Sequence, residues 1–153
     1  MKEISYRNME RILIILTKNA TNDVDARWEI AERKRILRSK LDSVNEARED
    51  LPDIKEYKKD RIKILNKYGV QISEDSFKLD IKDADVAKNE LNELKVKYAN
   101  ALEENDKRND DINRLLDKVV SIDIEPMKYE WFGSAIDSND IEVLMELDMV
   151  FRT

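Results

Sequence analysis

The chain has 153 residues, 41% of them hydrophobic and 41% charged, with only two Gly and two Pro. This balance predicts one domain of long amphipathic helices and excludes a compact β-sandwich or barrel, because little loop-forming material is left. The sequence lacks Cys and His, which excludes disulfide bonds, thiolate zinc sites, cysteine nucleophiles and histidine acid–base chemistry.

The formal net charge of −6 is unevenly distributed. Residues 1–69 contain 17 basic and 13 acidic side chains, whereas the remainder contains 11 basic and 21 acidic ones. If the two halves form opposite arms of a hairpin, this difference favours antiparallel docking, although each exposed ion pair contributes only about 0–1 kcal/mol.

The N-terminal segment, residues 1–20, predicts a short helix. Ser5 is a suitable N-cap, and a helical apolar face follows at Met9, Ile12, Leu13 and Leu16.

Residues 24–69 predict the first arm of the hairpin, capped by Thr21, Asn22 or Asp23. Pro52 either kinks this arm or begins a new helix in its first turn. Gly69 is expected to end the arm as a left-handed residue. The apolar positions recur at coiled-coil-like spacing at Ile30, Leu37, Leu41, Val44, Leu51, Ile54, Tyr57, Ile62, Leu65 and Tyr68.

Residues 70–82 switch to a period of two around a polar turn at residues 73–76, which predicts a β-hairpin. Residues 83–120 predict the second arm, capped by Asp83 or Asp85. It returns antiparallel because the connection is too short for a crossover. Its apolar stripe comprises Ala87, Leu91, Leu94, Tyr98, Ala101, Ile112, Leu115 and Val119.

Residues 121–153 predict a short strand, an aromatic segment and a C-terminal helix that begins after Asp137 or Ser138. The predicted fold is therefore mainly α, in a single domain of residues 1–153. It is a long antiparallel, coiled-coil-like helical hairpin with a small β-hairpin at its tip, and short N- and C-terminal helices pack at its base.

An unbroken polar run at residues 105–111 interrupts the apolar stripe of the second arm. A polar seam costs stability and fixes register. Specification of register or a flexible waist is favoured over a binding site, and the sequence leaves all three open.

No catalytic, cofactor-binding or metal-binding residues are predicted. The carboxylates are scattered at helical surface spacing, which favours a solvated face over a hydrolase site. The acidic residues around position 106 lack the glycine and ligand alternation of a calcium loop, and no phosphate-binding glycine loop is present.

Two residue groups are candidate interaction sites. The aromatic group of Trp28, Tyr129, Trp131 and Phe132 is interpreted as core at the base of the hairpin, with a protein contact surface as the alternative. The second group is basic: Arg33, Lys34, Arg35, Arg38 and Lys40. It suggests nucleic-acid contact, but its helical spacing spreads the charges over several faces, so a solvated or internally paired surface is favoured.

Two stretches carry a family resemblance. They are ARWEIAERKRILRSKLDSVNEARED leading to YKKDRIKILNKYG, and LLDKVVSIDIEPMKYEWF followed by SNDIEVLMELDMVF. With the helical KNELNEL they resemble an uncharacterised family of small proteins from phages and prophages of Gram-positive bacteria. The resemblance implies a phage origin and no activity, and the segment with Pro52 and the run at 105–111 are longer than the family's usual arms.

The expected function is that of a non-enzymatic, phage-encoded helical interaction protein, such as a virion accessory or assembly factor. Its partner is another protein or a second copy of the chain. The alternative is an acidic inhibitor of a host defence system that binds a protein or imitates nucleic acid, and direct nucleic-acid binding is a third, weaker possibility. No apolar run spans a bilayer, so we expect no membrane association and a location in the cytoplasm of the bacterial host or in the virion.

Overall fold

The computed structural model describes residues 1–19, 21, 23–74, 76–133 and 136–153. Over these residues the chain is mainly helical, with short paired strands, as predicted. They fall into two compact units, residues 1–48 with 112–153 (unit 1) and residues 49–111 (unit 2). The helices are α1 Tyr6–Lys18, α2 Val24–Arg48, α3 Pro52–Tyr68, α4 Ala84–Lys97, α5 Ala99–Leu116 and α6 Ser138–Glu146. The strands are β1 Lys2–Ser5, β2 Gly69–Ser73, β3 Ser76–Leu79, β4 Val119–Ile122, β5 Met127–Lys128 and β6 Val150–Phe151.

The start of unit 1 confirms the cap predicted for the first helix. The Ser5 hydroxyl accepts a hydrogen bond from the Asn8 amide at 3.1 Å, and α1 begins at the next residue. The sequence did not predict β1, which pairs antiparallel with β4 so that Ile4 lies opposite Val120. Four residues are too few to show a clear period of two, and the partner strand lies more than a hundred residues away.

Asp23 caps the N-terminus of α2. One carboxylate oxygen accepts hydrogen bonds from the amides of Asp25 and Ala26, at 2.9 and 3.3 Å. This selects one of the three predicted caps; Asn22, another of them, lies outside the described residues. A carboxylate at this position satisfies amide groups that no helical carbonyl can reach.

Pro52 begins a new helix instead of kinking a continuous one. It occupies the first turn of α3, and the preceding Leu51 is extended at φ −64° and ψ 155°. Proline suits this position because its missing N–H has no helical partner there, and it disfavours helical geometry in the residue before it. The predicted first arm therefore contains two helices.

The core of unit 1 is formed by apolar side chains from its helices and strands. The predicted stripe residues Ile30, Leu37, Leu41 and Val44 are all buried in it, whereas Leu51, of unit 2, is exposed. The other buried members of the cluster are Ile4, Met9, Ile12, Ile15, Leu16, Leu116, Ile122, Ile124, Met127, Phe132, Leu144 and Met149.

In the C-terminal part of unit 1, α6 begins at the position that the sequence predicted. The Asp137 carboxylate caps the helix by accepting from the Asn139 amide at 2.7 Å. After α6 the chain turns back through Asp148, and β6 pairs parallel with β5. Strands of two residues carry no periodic signal, so this pairing was not predicted.

In unit 2, helices α3 and α4 run antiparallel. The Tyr98 hydroxyl donates to the Asp60 carboxylate, and the Tyr68 hydroxyl donates to Glu90, each at 2.9 Å. Later residues of α3 therefore lie beside earlier residues of α4. The side chains buried in this unit are Ile54, Leu65, Ala87 and Leu94.

The strands β2 and β3 pair antiparallel between α3 and α4. Gly69 opposes Leu79 and has φ −154°, so the prediction of a left-handed residue is wrong. Glycine is needed for another reason: a Cβ there would lie 2.6 Å from the carbonyl oxygen of Lys78. The predicted polar turn includes Asp75, which lies outside the described residues.

The predicted second arm also differs in detail. α4 ends at Lys97 and α5 begins at Ala99, while β4 already begins at Val119. The polar run at 105–111 lies within α5. The long antiparallel hairpin with arms at 24–69 and 83–120 stays a prediction, and so does the single domain.

Candidate interaction site

The aromatic residues Tyr129, Trp131 and Phe132 belong to unit 1. Phe132 belongs to the buried core at 6% exposure, and Tyr129 and Trp131 are half-buried in a 3-10 turn. The Arg33 guanidinium lies 5.2 Å from the centre of the Trp131 ring, and that of Arg152 lies 4.7 Å from the centre of the Tyr129 ring. Phe132 lies in the core cluster of unit 1 and Trp131 packs against it, as the core interpretation expects for these two residues.

Trp28 behaves differently and is 68% exposed. The prediction that it packs into the core is wrong. Successive helical residues turn by about 100°, which places Trp28 on the side of α2 opposite the buried Ile30, two residues later. The helical period was therefore the sequence signal that could have identified Trp28 as a surface residue, unlike the other three aromatic residues.

Trp28 is part of an apolar face on the first half of α2. Val24 lies four residues before it and is 76% exposed, and the exposed Ala31 lies three residues after it. Spacings of four and three align side chains along one helix face. We call Val24, Trp28 and Ala31 the α2 stripe.

A cleft borders the α2 stripe at Ala31. Its volume is about 480 Å³. Its described lining consists of Leu16, Thr17, Asn19 and Thr21 from α1 and the following segment, and of Arg27, Ile30, Ala31 and Lys34 from α2. We call it the α1–α2 cleft.

Hydrogen bonds fix the polar side of this cleft. The Thr17 hydroxyl donates to the Leu13 carbonyl at 2.7 Å, and the Asn19 side-chain amide donates to the Ile15 carbonyl at 2.7 Å. Asn19 also donates, at 3.3 Å, to the largely buried Asp140 carboxylate, which pairs with the Lys18 ammonium at 3.0 Å. The nearby acidic group is thus already paired with a cation.

The two cations of the cleft are Arg27 and Lys34. Within the described ranges neither forms an ion pair, and no acidic side chain lines the cleft. Their positive charge is therefore available to an anionic group. The sequence analysis missed Arg27, although its spacing of seven from Lys34 indicates a shared helix face.

The structure does not bring the predicted basic cluster together. Arg33 pairs with Glu29 and donates to the carbonyl of Glu125 at 3.3 Å, so it holds α2 to a later segment of unit 1. Arg35 pairs with Glu32 at 3.1 Å. Lys34 lines the cleft, while Arg38 and Lys40 are exposed.

Two further kinds of site, a metal cluster and a membrane span, are absent from the described residues. Among them no group of three or more acidic side chains could hold a metal ion. None of the described helices is long and apolar enough to cross a membrane. A nonpolar stripe beside a positively charged cleft is suited to contact with another macromolecule.

Comparisons of the chain with protein-family models, with curated proteins and with solved structures find no match.

Proposed function

We propose that this chain is a non-enzymatic protein-interaction protein that binds its partner through the α2 stripe. The observation that carries the proposal is the exposure of Trp28 next to Val24 on one helix face. A fully packed aromatic side chain buries about 150–250 Å². Covering the exposed part of Trp28 is therefore worth about 3 kcal/mol of transfer free energy at 25 cal/mol per Å².

The composition of the surface also supports protein binding. Trp and Arg are enriched among the residues that dominate interface energies, and Trp28 lies next to Arg27 on α2. Single exposed apolar residues need no explanation, but two large ones spaced one helical turn apart form a patch. The non-enzymatic part of the proposal rests on the sequence, which lacks His and Cys.

The phage assignment rests on the sequence resemblance alone. The proposal also includes a role as a virion accessory or assembly factor, located in the virion or in the cytoplasm of the bacterial host. Mass spectrometry of purified virions tests the virion role. If the protein is absent from the particles, only a role inside the host cell remains.

One observation favours the alternative of an acidic inhibitor of a host defence system. The carboxylates of Glu103, Glu104, Asp106, Asp110 and Asp111 on α5 are all exposed. Such an inhibitor would be captured with a defence or nucleic-acid-handling protein, and replacing Glu104 and Asp111 by Gln and Asn would release that protein.

The long antiparallel hairpin with a β-hairpin tip stays part of the proposal. It is supported by the sequence pattern of both predicted arms and, within unit 2, by the antiparallel packing of α3 on α4.

The test is affinity purification from infected bacterial cells, with the partner quantified by mass spectrometry. We expect Trp28→Ala to weaken capture by about 30-fold or more, which corresponds to about 2 kcal/mol. Val24→Ala and Val96→Ala form a matched pair, because the two valines are 76% and 77% exposed but lie on different helices. Capture should fall with the first and not with the second. Equal capture by Trp28→Ala and the unaltered protein would refute the proposal.

A further inference from the structure

The α1–α2 cleft and the α2 stripe run side by side along the same helix. Arg27 and Lys34 are seven residues apart, which is two helical turns, so their stems lie about 10 Å apart along α2. Val24, Trp28 and Ala31 follow the same direction on the neighbouring face. The surface therefore has two parallel rows, one nonpolar and one positively charged.

From these rows we infer that the site binds an acidic amphipathic helix of the protein partner, packed alongside α2. The inference rests on the proposed function and specifies the partner's chemistry. Apolar residues of the incoming helix would cover Trp28 and Val24. Two carboxylates seven residues apart would match the spacing of Arg27 and Lys34, as in helix pairs whose flanking charges select the partner.

Charge complementarity is what favours this occupant. The cleft holds two cations without an ion-pair partner in the described part of the chain, and the nearby Asp140 is paired with Lys18. The net positive charge of the cleft therefore attracts a carboxylate of the incoming helix. The small Ala31 side chain, which belongs to the stripe and also lines the cleft, lets a second helix approach closely.

The experiment uses two synthetic amphipathic helical peptides with the same leucine seam. In one, Glu occupies two positions seven residues apart beside the seam; in the other, Gln occupies both. Binding of each fluorescently labelled peptide to the full chain is measured by anisotropy. We expect the Glu peptide to bind at least about tenfold more tightly than the Gln peptide, and the preference to weaken as salt is added.

Two double variants test the assignment to the cleft. Arg27→Gln/Lys34→Gln should abolish the preference for the Glu peptide. The control is Lys88→Gln/Lys95→Gln, which removes two exposed lysines, also seven residues apart, from α4. This control causes the same change in net charge and should keep the preference. Circular dichroism of both variants establishes that they are folded.

Several results would overturn the inference. They are equal binding of the two peptides, no binding of either, or the same loss of preference in both double variants. Tighter binding of a single-stranded oligonucleotide that requires Arg27 and Lys34 would assign the site to nucleic acid instead. Sedimentation that shows a dimer dissolved by Arg27→Gln/Lys34→Gln would assign it to a second copy of the chain.

The two proposals fail in different ways. If partner capture depends on Trp28 but the peptides show no charge preference, the inference is wrong and the proposed function stands. If Trp28→Ala leaves capture unchanged, the proposed function is wrong whatever the peptides do.

Discussion

The C-terminal turn of α6 depends on one residue in an unfavourable backbone conformation. Asp148 has φ 52°, the only positive φ of a non-glycine residue in the described ranges. Its amide donates to the Met145 carbonyl at 3.1 Å, and the Met149 amide donates to the Leu144 carbonyl at 2.8 Å. This pair of bonds is the Schellman motif, in which glycine is the favoured residue at the left-handed position.

Two effects act on Asp148 and can be separated by substitution. A left-handed conformation costs an L-residue about 1–2 kcal/mol, and less for Asp or Asn. A carboxylate at a helix C-terminus is unfavourable by about 0.3–1 kcal/mol. Asp148→Gly removes both effects. It also destabilises the folded state by about 0.4–1 kcal/mol, because glycine increases the conformational entropy of the unfolded chain. We therefore expect a net stabilisation of about 0.5–1 kcal/mol.

Two further substitutions complete the series. Asp148→Asn removes only the charge and should stabilise by about 0.3–1 kcal/mol. Asp148→Ala also removes the charge but adds left-handed strain. Its free energy of unfolding should therefore be about 1 kcal/mol lower than that of Asp148→Gly. Urea denaturation followed by tryptophan fluorescence measures the effect, because both tryptophans lie in unit 1 with Asp148. Equal stability of the Ala and Gly variants would refute the reasoning.

Two other predictions concern polar contacts. Asp140→Ala should lower the free energy of unfolding of unit 1 by about 1–2 kcal/mol. The substitution removes the contacts with Lys18 and Asn19 and a favourable charge in the first turn of α6. A change below about 0.3 kcal/mol in urea denaturation would contradict this prediction. In unit 2, the hydrogen bond to Asp60 raises the pKa of Tyr98 above 10.0, so the associated stabilisation is complete below about pH 10 and is lost as the pH rises through the folded-state pKa. Asp60→Asn should lower the pKa of Tyr98 in a spectrophotometric titration of the tyrosines, and an unchanged titration curve would disprove the assignment.

Local chemistry made much of the secondary structure predictable. Ser5 and Asp137 mark helix beginnings because their side chains accept hydrogen bonds from backbone N–H groups of the first turn. Pro52 marks another because proline has no N–H that would be left without a partner there. The switch of period after Gly69 marks β2 to within one residue, because strands and helices place side chains at different intervals. These signals depend on a few neighbouring residues and therefore need no knowledge of the rest of the chain.

Strand partners and surface exposure required the tertiary structure. The pairing of β1 with β4 brings Ile4 beside Val120, and nothing in either short segment specifies the other. Gly69 shows the same limit: the sequence indicated a helix end there, but only the approach of the Lys78 carbonyl shows why a side chain is excluded.

For the candidate site, the sequence determined that Trp28, Arg27 and Lys34 lie on α2 and which faces of that helix they occupy. Only the tertiary structure decided which face of α2 is covered, because burial depends on where α1 and the C-terminal segment of unit 1 pack. Phe132 thereby became part of the core and Trp28 part of the surface, although both are aromatic residues in the same unit.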